Sequence, residues 1–146
     1  MVFSAKNTPP VAFLKRFLNI KALTLATFYR FSMSEKTLFE RIIEREIPAT
    51  IIHEDDHCIV FRDINPQAPT HVLVVPRKPI ATLDDVSEDN AALASHLLLT
   101  AKKIAAAEGL TDGYRVVINC GADGGQSVDH LHVHVLGGRK LKWPPG

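Results

Sequence analysis

The chain has 146 residues, 46% hydrophobic and 23% charged, with a formal net charge of +1, which suits one domain with a real core and argues against two. Residues 1 to 34 carry Lys6, Lys15, Arg16, Lys21 and Arg30 and no acid, so the remainder holds 12 basic and 16 acidic groups and lacks the basic surface a nucleic-acid backbone would require. Cys58 and Cys120 stand far apart without a CxxC pair, which argues against a disulfide framework or a structural zinc site and fits the reduced thiols of a cytosol or matrix.

In chain order, the segment 1 to 34 combines its positive charge with Ser4, Ser32 and Ser34, and with Phe13, Leu14, Phe17 and Leu18 at near-helical spacing. That is the composition of a mitochondrial or plastid transit peptide. Alternatives are an untargeted tail or translation from Met33, which would leave a cytoplasmic or nuclear protein. Its longest uncharged apolar run, Ala22 to Tyr29, is too short to span a bilayer. Order is expected from Thr37, where Leu38, Phe39, Ile42 and Ile43 alternate with charged residues at helical spacing as far as Pro48. Thr50 to His53 and Cys58 to Arg62 read as a hairpin turned by Glu54-Asp55-Asp56. After a loop over Asn65 to Pro69, His71 to Pro76 is too uniformly apolar to face water on either side. Ser87 to Gly109 predicts the long helix, with a cap-like serine at its start and a glycine at its stop. Tyr114 to Asn119 predicts another strand.

The stretch that invites chemistry is His130-Leu131-His132-Val133-His134-Val135-Leu136, behind the glycine-rich run Asn119 to Ser127. Histidines at spacing two fit a strand with all three imidazoles on one side and an apolar opposite face. Such a row fits a metal site, proton and nucleophilic work, or a polar solvent face. The glycine run tips the balance toward a phosphorylated substrate, because glycines let amide N–H groups converge on an anion. Short turns between strands make the sheet mainly antiparallel, giving an α+β domain that the histidine strand closes. Trp143 caps a pocket or interface, or anchors the tail.

These residues, with Arg45-Glu46-Ile47-Pro48, Asp63 to His71, Gly137-Gly138-Arg139 and Trp143-Pro144-Pro145-Gly146, resemble the histidine triad (HIT) family, and most of all its Hint branch, the histidine triad nucleotide-binding proteins. The resemblance implies a HIT domain over residues 35 to 146 and a homodimer without a cofactor. It also implies hydrolysis of purine nucleoside phosphoramidates, or of acyl- or sulfo-adenylates, to AMP. In that scheme His132 attacks the α-phosphorus and a nucleotidyl-histidine forms. His130 and His71 orient it, while His134 and Ser127 hold phosphate oxygens or protonate the leaving group. Loop amides near Gly125 and Ser127 meet developing charge. Asp63 binds the ribose hydroxyls, Asn119 also reaches the sugar, and Phe39, Ile42, Phe61 and Ile64 sandwich the base. Asp129 departs from the family pattern, an acid where relatives commonly carry an aromatic residue. Pro79 and Cys120 fall at variable places. A different class of function stays open: a zinc- or nucleotide-binding scaffold dimer that uses the same histidines, with hydrolysis incidental.

Overall fold

The computed structural model describes residues 36 to 145. The basic segment 1 to 34, and the targeting expected of it, lie outside the described residues. Helix α1 (Leu38–Ile43) starts on Thr37, whose hydroxyl accepts the Glu40 amide N–H at 3.2 Å while the Glu40 carboxylate accepts the Thr37 N–H at 2.8 Å. This reciprocal cap satisfies two amides that the first turn leaves without helical partners. The helix stops well before Pro48, because Arg45 turns into the left-handed region at φ 66°. Its N–H then bonds to the Ile42 carbonyl at 3.0 Å, and the Glu46 N–H bonds to the Arg41 carbonyl at 2.8 Å. The reversal is thus a hydrogen-bonded helix terminus rather than a proline break.

Strands β1 (Ile51–Glu54) and β2 (Cys58–Arg62) form the expected hairpin. Asp55 holds its turn, taking the amides of His57 and Cys58 on one carboxylate oxygen, each at 2.8 Å. Strand β3 (Thr70–Pro76) is buried on both faces, as its apolar run demands. Val72 and Val74 look to one side, Leu73 and Val75 to the other. Two 3-10 turns, Leu83–Asp85 and Glu88–Asn90, lead into helix α2 (Ala91–Ala107). Ser87 therefore opens a 3-10 turn and does not cap the long helix, which begins four residues later than its spacing suggested. At the other end Gly109 takes φ +71°, and the Leu110 N–H reaches back to the Ala105 carbonyl at 3.0 Å, the glycine stop read from the sequence.

With β4 (Tyr114–Val117) and β5 (Val133–Gly137) the sheet is antiparallel throughout, in the order β1-β2-β3-β5-β4. Two expectations change here. The histidine segment does not close the sheet, since β5 inserts between β3 and β4 and leaves β4 at the edge. Nor is it strand from His130 onward: the His130 N–H bonds to the Val128 carbonyl and the Leu131 N–H to the Ile80 carbonyl, so pairing begins only at Val133. α2 packs Leu97, Ala101, Ile104 and Ala105 on one face, against Val60, Val72, Val74, Val133 and Val135. α1 packs Phe39 and Ile42 on the other, against Ile59, Phe61, Leu73 and Val75.

Trp143 is 83% exposed, so it does not anchor the tail. Arg139 does, donating to the Gln67 carbonyl at 2.9 Å, together with Arg115, which donates to the Lys142 carbonyl. Among the described residues no helix is long and apolar enough to cross a membrane. A Cβ at Gly109 would meet nothing within 4 Å, so a side chain there costs only the left-handed conformation. Gly109→Ala is expected to lower unfolding free energy by about 1 kcal/mol in urea titration, and an unchanged midpoint would refute that account of the helix terminus.

Candidate active site

Leu131, Val133 and Val135 point into the core beneath α2, so the intervening histidines must emerge on the α1 face. They do. The Phe39 ring lies 6.0 Å from that of His130 and 5.0 Å from that of His132, and the His132 and His134 rings are 4.8 Å apart. Yet this is not a solvent face, because His130 and His132 are buried and so is His71 from the neighbouring strand β3. Buried imidazoles need partners for their ring nitrogens, and the partners found here fix each tautomer.

His130 Nε2 lies 2.8 Å from the Pro76 carbonyl, which can only accept, so Nε2 carries the proton. Nδ1 then accepts from the Thr37 hydroxyl at 3.2 Å, the same hydroxyl that caps α1. His132 Nδ1 lies 2.7 Å from the backbone carbonyl of His130 and donates to it. Its Nε2 therefore keeps a free lone pair. On the other side, the Gln67 amide donates to His71 Nδ1 at 3.1 Å, which places the His71 proton on Nε2. That proton goes to His134 Nδ1 at 2.9 Å, leaving His134 with an Nε2–H that is buried and has no partner. Two of the expected roles shift accordingly. His130 positions His132 through its backbone carbonyl rather than its ring, and His71 is hydrogen-bonded to His134 rather than to His132.

A cavity of about 230 Å³ opens beside these rings. It is lined by His132, His134, Ser127, Asp63 and the apolar group Phe39, Ile42, Phe61 and Ile64. Phe39, Ile42 and Phe61 serve at once as core and as wall, whereas Ile64 is 96% exposed at the rim. Asp63 spends one oxygen on the Asn65 amide at 2.8 Å, and its other oxygen lies 3.6 Å from His71 Nε2. The remaining expected residues lie elsewhere. Asn119 lines a second cleft, which shares His71 and His134 with the first site. The Gly125 amide donates to the Ala122 carbonyl at 3.0 Å, so here it bonds within the loop. Gly124 is required by close backbone approach, since a Cβ there would fall 2.3 Å from the Cys120 carbonyl oxygen. Asp129 is exposed. The sequence reading missed Thr37, although Thr-x-x-Glu is a legible cap signature. It also missed the Gln67 amide and the Pro76 carbonyl, which as backbone groups leave no trace in residue identity.

Burial foremost, reinforced by the neighbouring His132 and His71 and opposed by Asp63, pushes His134 down to about 4. Burial likewise lowers His71 and His130. All three rings are therefore neutral at pH 7. In the unfolded chain each would take a proton near pH 6.5, so the unfolded state binds more protons between roughly pH 6.5 and 4 and stability falls as pH drops through that window. Thermal unfolding followed across it should show His134→Gln losing less stability on acidification than wild type. Equal slopes would show that His134 does not carry the effect.

The model of the HIT domain matches residues 44–141. Over 114 residues the chain is 62% identical to a HIT-like protein of Synechococcus elongatus, covering 78% of this chain and 100% of that protein. Over 112 residues it is 52% identical to a 14 kDa zinc-binding protein of Zea mays, covering 75% and 88% respectively. The structure of a HIT family hydrolase from Legionella pneumophila is similar at a TM-score of 0.75 and 53% identity, covering 76% of this chain and 100% of that one. With four histidines linked through their hydrogen bonds, two of them lining one cavity, and with relatives matched over their full or nearly full length, the chain belongs to the histidine triad family.

Proposed function

We propose that the chain is a hydrolase that cleaves AMP-linked phosphoramidates, and related acyl- or sulfo-adenylates, through a nucleotidyl intermediate on His132. The observation that carries this reading is the 2.7 Å bond from His132 Nδ1–H to the His130 carbonyl, which leaves Nε2 as a lone-pair nucleophile on a ring lining the cavity. Nε2 attacks the α-phosphorus and the bond to the leaving group breaks, a departing amine taking its proton from solvent water and an acyl or sulfo group leaving as its anion. Water then attacks the phosphorus, releasing AMP and restoring His132. His134 suits the charge that develops on phosphorus, since its unpartnered Nε2–H is a donor held ready in a buried site. The apolar wall suits a purine and Asp63 suits the ribose hydroxyls. The Legionella relative's description as a hydrolase supports the reaction class.

The name of the maize relative raises a second reading, zinc on Asp63, His71 and His134, whose donor atoms lie within 4.8 Å of one another. Hydrogen bonding opposes it. A metal on His71 Nε2 would move the proton to Nδ1, where it would face the Gln67 N–H. The edge strand β4 with Tyr114 and Val116 exposed, and Leu98 and Leu99 exposed on α2, also support a homodimer.

Adenosine 5′-phosphoramidate hydrolysis tests the reaction. Wild type should turn over equally with and without a chelator, and His132→Ala should lose at least about a thousandfold while still binding AMP. Turnover retained in the variant, or abolished by the chelator, would overturn the mechanism. Sedimentation equilibrium of the full chain should give the mass of two copies, and a single-copy mass at micromolar concentration would remove the dimer.

A further inference from the structure

Seven histidines occur in the chain, and four belong to the site above. The other three, His53, His57 and His96, gather around Asp55. His96 comes from α2, and its Nε2 lies 2.8 Å from Asp55 Oδ2. His53 comes from β1, and its Nε2 lies 3.6 Å from the same oxygen. The Cys58 thiol, at the start of β2, completes the cluster, since donor atoms of His53, Asp55 and Cys58 all lie within 4.8 Å of one another. The His57 ring packs edge-on against His96 at 5.1 Å, beside an open cavity of about 400 Å³.

A hairpin clamp would account for Asp55 and His96, whose hydrogen bond ties the β1–β2 turn to α2. It does not account for His53. Strand alternation would send that side chain toward the α1 face, opposite to Ile52. Instead the ladder slips between Ile51 and His53, so that Ile51 pairs with Phe61 and His53 with Val60. Val60 belongs to the α2 face, as does Ile52, so the bulge puts two successive side chains on one side and re-aims His53 at Asp55. Bulges that redirect a side chain are typical of functional positions.

We propose that His53, Asp55, Cys58 and His96 form a zinc site on the α2 face, separate from the histidine triad on the α1 face. Two imidazoles, a carboxylate and a thiolate are a tetrahedral donor set that suits this ion. Bond lengths of roughly 2.0 to 2.3 Å put donors about 3.3 to 3.8 Å apart around it; the donors of His53, Asp55 and Cys58 already lie within 4.8 Å of one another, and His96 Nε2, at 2.8 Å from Asp55 Oδ2, would turn in as the fourth. Binding moves the His96 proton to Nδ1 and releases the Cys58 proton to buffer, and the two anionic ligands then balance the ion's charge. The ion would replace the Asp55 to His96 hydrogen bond with a stronger tie between hairpin and helix.

The full chain, stripped with chelator and titrated with cobalt, should bind one equivalent with a thiolate-to-cobalt charge-transfer band that zinc displaces, and zinc should raise its melting temperature. His53 is partly exposed, so His53→Ala should fold normally while losing at least about tenfold in metal affinity. Cys58→Ser should lose the band. Absence of binding, binding without the band, or wild-type affinity in His53→Ala would each overturn the assignment.

Discussion

A buried imidazole is tolerated only when its ring nitrogens are matched to partners of the right polarity, and this protein buries three of them while holding a fourth at the cavity wall. Much of the architecture around the site answers that demand. The Pro76 carbonyl ends the central strand where His130 needs an acceptor, Gln67 lends an amide to His71, and the His130 carbonyl is free for His132 because pairing with β3 has not yet begun at that point. Each neutral ring has one donor and one acceptor, so assigning the first fixes the rest. Two groups fall outside this closed accounting: the His132 lone pair and the His134 N–H. They are the groups a phosphoryl centre would engage.

Backbone partners also make the protonation of these rings rigid. Carbonyl and amide partners from the backbone cannot change their donor or acceptor sense, so the tautomers are set by the fold rather than by whatever enters the cavity. Around Asp55 only one carboxylate oxygen is held by backbone amides, while the other faces the His96 and His53 side chains, which can rotate and exchange protons. The two histidine clusters therefore differ less in composition than in what surrounds them.

The sheet was largely legible from sequence, because β3 is a continuous apolar run and the hairpin carries its acidic turn. The histidine row was legible as chemistry, since alternation with Leu131 and Val133 already placed the rings on one face. What residue identity did not reveal was decided by backbone geometry. β5 begins late because amides at His130 and Leu131 are spent on Val128 and Ile80, and α1 ends early because Arg45 accepts a left-handed conformation that composition disfavours. Periodicity reports which face a residue occupies, but not where a ladder starts. Gly125 shows a related point: glycine permits a loop to converge on an anion and equally permits it to bond to itself, as its amide does here.

Thr37 holds two posts at once, as the cap of α1 and as the hydroxyl that donates to His130 Nδ1. α1 in turn carries Phe39 and Ile42, the wall of the cavity. Loss of that one hydroxyl would therefore free the first turn of α1, strip a buried ring of its donor and loosen the wall of the cavity in a single step.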